Sequence, residues 1–127
     1  MSLQYIAVDG CTLEFQAGGT GDIIITPGQL STKVKADGKA VYLSLKFTIA
    51  NYTGQAITVS KSGTGEGEII ASSTHVKVEG HKGYLEGDMS ATITINGLQP
   101  SGSGTAPATA EEIVKITNAG QSKVKGA

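Results

Sequence analysis

The sequence predicts an all-β protein: a compact, glycine-rich domain of short strands with repeated β-hairpin arms. Three observations lead there. One ten-residue run alternates strictly between apolar and polar residues, several short β-branched segments are separated by turn dipeptides, and a thirteen-residue unit occurs twice.

The alternating run is Val41–Ala50. Val41, Leu43, Leu45, Phe47 and Ile49 fall on every second position, with Tyr42, Ser44, Lys46 and Thr48 between them. Successive side chains of a strand point to opposite faces, so this is one strand with one buried face. A helix would need apolar residues three and four apart.

Shorter segments read as further strands: Tyr5–Val8, Leu13–Phe15, Asp22–Thr26, Ala56–Val59, Ile69–Ala71, His75–Val78, Ala91–Ile95 and Val114–Thr117. Gly-Gly, Pro-Gly, Asp-Gly and Asn-Gly pairs between them supply turn chemistry, Asn96-Gly97 among them. Two stretches read as flexible loops, residues 61–67 (KSGTGEG) and 100–109 (PSGSGTAPAT), because neither carries a large apolar anchor. Residues 106–115 give the one helical signal, a short turn capped by Thr109 and containing Glu111 and Glu112. Residues 98–127 read either as a final strand pair or as a partly disordered tail.

The repeated unit is Ser31–Leu43 (STKVKADGKAVYL) and Ser73–Leu85 (STHVKVEGHKGYL). Ser31/Ser73, Thr32/Thr74, Val34/Val76, Lys35/Lys77, Gly38/Gly80, Tyr42/Tyr84 and Leu43/Leu85 are identical, and Asp37/Glu79 keep the charge. Each copy reads as two strands joined by a two-residue turn, whose second position requires positive φ and therefore favours Gly38 and Gly80.

Composition bounds the rest. A chain of 127 residues has the size of one domain and can bury a core without staples. Glycine supplies 18 residues, about twice its average share of ~7%. Net charge is −1, from ten cations that are all lysine and eleven acids. Without arginine or a positive balance, a nucleic-acid partner is not expected. Cys11 stands alone, so no internal disulfide forms. No secretory signal is evident at the start of the chain, which implies synthesis in the cytoplasm. No apolar run approaches the ~18 residues of a spanning helix, so stable membrane insertion is not expected.

Enzymatic chemistry finds little footing, and the chain is not expected to be an enzyme. Cys11 with His75 or His81 would be a nucleophile pair, but the cysteine opens a strand with no helix N-terminus to activate it. Glu66 and Glu68 lie in a glycine-rich segment and read as solubilising. The string from Gly63 to Gly67 lacks the Lys-Ser/Thr and helix of a phosphate cradle.

The paired arms, Ser-Thr-x-Val-x-(Ala/Val)-(Asp/Glu)-Gly-(Lys/His), resemble the repeated arms of PAAR and PAAR-like proteins. Leu85-Glu86-Gly87-Asp88 resembles the Gly-Asp ending common in that family, and Thr92–Leu98 with its Asn96-Gly97 turn resembles a degenerate third piece. The resemblance covers about half of the chain. It implies a cone-like tip on the trimeric spike of a contractile injection machine, as in type VI secretion, phage tails and phage-tail-like particles. It further implies binding by strand augmentation, export with the particle and a passive role in membrane piercing. The expected partner is a trimeric spike protein, with an effector cargo as a second.

The best-known tips of that family hold zinc with three histidines and one cysteine. Here the resemblance points to Cys11, His75 and His81, with Asp9 or Asp88 as a fourth donor; zinc needs four ligands, or three and water. The other reading is that both histidines are solvated and Cys11 is a small core residue, with no cofactor. Two further classes remain open: a β-sandwich binding or adhesion module, and a self-assembling fibre or tube subunit.

Overall fold

In the computed structural model, which describes residues 3–127, every regular element is a β-strand. In chain order these are β1 (Gln4–Tyr5), β2 (Thr12–Phe15), β3 (Thr20–Ile25), β4 (Leu30–Ala36), β5 (Lys39–Tyr42), β6 (Lys46–Thr53) and β7 (Gly63–Glu68). They continue with β8 (Lys77–Val78), β9 (His81–Lys82), β10 (Ile93–Ser101), β11 (Gly104–Glu112), β12 (Val114–Asn118) and β13 (Lys125–Gly126). An antiparallel sheet in the order β11-β10-β7-β6-β3 is joined by four two-stranded ribbons: β12–β2, β4–β5, β8–β9 and β1–β13. The fold is all-β.

The main sheet turns Phe47, Ile49 and Tyr52 of β6 and Ile93 and Ile95 of β10 into the larger apolar cluster. Val114 and Ile116 of the β12–β2 ribbon join them, and Leu13 and Phe15 pack alongside. Strand β7 explains how the sheet closes on so bulky an interior. Its sequence GTGEGE alternates glycine with polar residues, and Thr64, Glu66 and Glu68 are the exposed ones. A Cβ on Gly63 would lie 2.8 Å from the Cβ of Tyr52, and one on Gly67 would lie 2.5 Å from Cδ1 of Ile93. The glycines are the low-profile half of the core packing, since real side chains cannot share that space.

This corrects the expected loop at 61–67: Gly63–Glu68 is a sheet strand paired with β6 from Lys46↔Glu68 to Tyr52↔Gly63. The expected loop at 100–109 is the closed end of a hairpin in which β10 and β11 pair without a break from Ile93↔Glu112 to Ser101↔Gly104. The helical turn at 106–115 is absent, because Thr109, Glu111 and Glu112 all belong to β11. The Asn96-Gly97 turn is also absent. Those residues sit inside β10 opposite Thr109 and Ala108, and a Cβ on Gly97 would lie 2.5 Å from Cγ2 of Ile57. Close packing, not a reversal, requires that glycine. Residues 98–127 are ordered as the rest of that hairpin, β12 and β13. Ala56–Val59, expected as a strand, contributes only the bridge Gly54↔Ile57.

The alternating run from Val41 to Ala50 is divided. Leu43, Ser44 and Leu45 separate β5 from β6, and the two halves serve different interiors. Leu45, Phe47 and Ile49 enter the larger cluster, whereas Val41 belongs to a smaller one with Val8, Ala36 and Val78. Gln29 bridges the break. Its side-chain amide donates to the carbonyls of Thr26 (2.6 Å) and Lys46 (3.0 Å), and its Oε1 accepts from the Lys46 N–H at 2.7 Å. One side chain thus replaces the ladder bonds lost where the strand parts.

Candidate functional site

The repeated units fold as two hairpins packed about the smaller cluster. In the first, Ala36↔Lys39 flank the turn Asp37-Gly38; in the second, Val78↔His81 flank Glu79-Gly80. Both residues of each turn have positive φ: 52° and 76° in the first, 49° and 85° in the second. That is the type I′ pattern, whose twist matches the strands it joins.

Burial repeats with sequence. Ser31 and Ser73, Ala36 and Val78, and Tyr42 and Tyr84 are buried at matching positions, while Lys35 and Lys77 are exposed. The arms meet directly: the Ser31 hydroxyl donates to Oε2 of Glu79 at 2.6 Å, and its oxygen accepts from the N–H groups of Lys33 and Val34. The first arm's opening turn is therefore tied to the second arm's tip.

Between the arms runs the segment from Tyr5 to Asp9. Val8 bridges to Val41 and Ile6 to Leu85, while Asp9 donates to the Ala40 carbonyl and Ala7 to that of Tyr84. The last residues close the other side. The Ala127 oxygen accepts from Thr74 and His75, Lys39 Nζ donates to the Gly120 carbonyl at 2.6 Å, and Lys123 lies 3.6 Å from Asp37.

The proposed ligand set of Cys11, His75 and His81 is not assembled. Among the described residues, no group of three or more His, Cys, Asp or Glu side chains is placed to hold a metal ion. Cys11 lies in the larger cluster beside Tyr42, whereas His75 and His81 are exposed on the second arm. Burial pushes the Cys11 thiol up to about 11, so it stays protonated at neutral pH and is a poor nucleophile. Burial, with the neighbouring Cys11 and Asp9, pushes Tyr42 up to about 12.

Asp88 is also committed elsewhere. It accepts from the Ser72 hydroxyl and from the backbone N–H groups of Ser72 (3.2 Å) and Leu85 (2.9 Å). Asp9 is exposed at the turn before Cys11. Glu66 and Glu68 stand on the outer face of β7, beside Thr92 and Thr94 in a shallow groove of ≈ 720 Å³. Tyr5, Tyr42, Tyr52 and Tyr84 do not form a shared platform: Tyr42, Tyr52 and Tyr84 are buried, and Tyr5 pairs with Lys125 on the β1–β13 ribbon.

The most consequential residue that sequence reasoning misplaced is Glu112. It is 1% exposed, and its carboxylate accepts from the N–H groups of Ala17 (2.8 Å) and Gly19 (2.9 Å) and from the Tyr52 hydroxyl. Its grip on the Ala17–Gly19 loop sets how β2 and β3 are used. These consecutive strands pair with β12 and β6, not with each other. The signal available in the sequence was the strand alternation Ala108, Ala110, Glu112, which places the carboxylate on the inward face.

No protein-family model matches this chain, and no match is found among curated proteins or solved structures.

Proposed function

We propose that this protein is a structural tip that seats on the trimeric spike of a contractile injection machine and travels with it. The observation that carries the reading is the pair of repeated arms, with equivalent turns and equivalent burial, locked to one another through Ser31 and Glu79. A tip must carry load without rearranging. Two hairpins with two-residue turns, clamped by both ends of the described chain, suit that demand.

The seat would be the β3 end of the main sheet. Strand augmentation needs an edge with free N–H and C=O groups. At the opposite end, β11 carries Pro107, which lacks an N–H and blunts that edge. Strand β3 exchanges ladder bonds with β6 alone, and its exposed Ile24 offers apolar surface beside the free edge.

The test is the mass, by light scattering on a sizing column, of a mixture with a trimeric spike protein of a contractile injection machine. One copy per spike trimer is expected. A chain that stays monomeric in the presence of the spike would overturn the reading and favour a β-sandwich binding module; a series of larger self-assemblies would favour a fibre subunit.

A further inference from the structure

The near-neutral total charge conceals a separation. The strands around the smaller cluster, β1, β4, β5, β8, β9 and β13, hold Lys33, Lys35, Lys39, Lys77, Lys82 and Lys125 and no acid. The main sheet and the β12–β2 ribbon hold Glu14, Asp22, Glu66, Glu68, Glu111 and Glu112 against only Lys46 and Lys115. Acids near the arms are confined to turns and connections: Asp9, Asp37, Glu79, Glu86 and the buried Asp88, which is bonded to Ser72 and Leu85.

The arm charges are mostly uncompensated. Among the described residues the one ion pair is Lys123 with Asp37, and Glu79 is bonded to Ser31. Lys77 and Lys82 stand directly opposite one another across β8 and β9, both exposed. Like charges facing each other across a strand pair are destabilising, so this arrangement opposes folding, and an anion between or beside them would relieve it.

Apolar surface lies among these lysines. Leu3, 57% exposed, precedes β1, and Val124, 37% exposed, lies between Lys123 and Lys125. Lys125 Nζ sits 4.7 Å from the centre of the Tyr5 ring. Aliphatic and tyrosine side chains interleaved with lysine stems suit an interface that is apolar below and anionic above. The absence of arginine argues against recognition of fixed phosphate pairs and for diffuse attraction to a charged surface.

We infer that the arm end docks on an anionic lipid bilayer, with lysine ammonium groups on headgroup phosphates and Leu3 and Val124 at the acyl boundary. The inference concerns the free protein and does not depend on the spike-tip reading; a protein that bound no spike could still satisfy it.

The test is co-sedimentation of the full chain with vesicles of phosphatidylcholine alone and of phosphatidylcholine mixed with phosphatidylglycerol. Binding is expected only to the mixed vesicles, falling as salt is raised from ~0.1 to ~0.5 M. Lys77→Gln with Lys82→Gln should weaken it about thirtyfold, given roughly fivefold per lysine lost from a membrane surface. Lys46→Gln with Lys61→Gln, away from the arms, should leave it unchanged, and a urea midpoint no lower than that of the wild type will show that each variant is folded. No sedimentation with either vesicle, or equal binding to both, would overturn the inference. So would salt-sensitive self-association without lipid, which would instead make the acidic sheet of a second copy the partner.

Discussion

Tyr52 donates its hydroxyl to the carboxylate of Glu112 at 2.5 Å inside the larger core, where neither side chain is more than 1% exposed. The same carboxylate holds Ala17 and Gly19, so a single side chain organises three donors from two distant stretches of chain. Phe15 packs edge-on against the Tyr52 ring, with centroids 5.2 Å apart. Glu112→Ala would strand the buried Tyr52 hydroxyl and remove the partner of the more accessible Ala17 and Gly19 N–H groups, and should cost ~2–3 kcal/mol in urea unfolding. Tyr52→Phe removes one bond and should cost ~1–2 kcal/mol. A Glu112→Ala loss below ~1 kcal/mol would mean that this carboxylate is not the organiser described.

Stability should fall at alkaline pH, first through Cys11. Burial raises its thiol from 9.0 to about 11 in the folded chain. Below pH 9 both folded and unfolded forms are protonated and the full stability is present. Between about 9 and 11 the unfolded thiol ionises while the folded one does not, and stability is lost. The loss from this group approaches ~2–3 kcal/mol, shared with Tyr42 because the two titrate together. Tyr52, raised by burial and by Glu112, adds its own loss above pH 10. Equilibrium unfolding of the wild type and Cys11→Ala across this range should show a shallower decline in the variant. Parallel curves would mean that Cys11 is solvated.

The glycine alternation of β7 makes a sharp contrast between positions. Gly63→Ala places a Cβ 2.9 Å from the Tyr52 carbonyl oxygen and 2.8 Å from its Cβ, so main chain has to move. Gly104→Ala meets nothing within 4 Å. The first should cost ~2–3 kcal/mol as overpacking; the second should be neutral or gain up to ~1 kcal/mol by restricting the unfolded chain. Thermal melts of the two variants decide this, and equal melting temperatures would refute the packing account of β7.

These contrasts also show what the sequence could reveal. The arm turns were legible because Asp-Gly and Glu-Gly pairs, flanked by matching residues, carry a local conformational demand that little else competes with. The inward face of Leu45, Phe47 and Ile49 was legible for the same reason: period two is a local property. The break at Leu43–Leu45 was not, because it depends on Gln29 supplying bonds to Lys46 from 17 residues away. Glycine misled wherever its role was tertiary. Gly63, Gly65, Gly67 and Gly97 read as loop or turn residues, although they are strand positions that make room for Tyr52, Ile57, Ile93 and Ile95. Charge separation was hidden for a related reason, since a net charge carries no record of which strands share a cluster.

The arm turns depend on backbone conformation alone, which gives a separate test. No atom lies within 4 Å of a Cβ placed on Gly80, so any cost of substitution there comes from φ of +85° and not from crowding. Gly80→Val should destabilise by at least ~1 kcal/mol, and Gly80→Asn by distinctly less, because asparagine tolerates the left-handed region. If valine and asparagine melted together, the turn would have another geometry in solution.

The link between the arms can be isolated by a double-mutant cycle on Ser31 and Glu79. Ser31→Ala removes the inter-arm bond together with the local bonds to Lys33 and Val34, whereas Glu79→Gln weakens only the inter-arm bond. Glu79 is exposed, so solvent screening limits its share, and the coupling between the two substitutions should be ~1 kcal/mol. Ser31→Ala alone should cost more than the coupling, by the price of its two local acceptor bonds. A coupling near zero would mean that the arms are held together by Val8, Val41 and Val78 alone. The load path of the proposed tip would then run through the apolar cluster and not through its polar clasp.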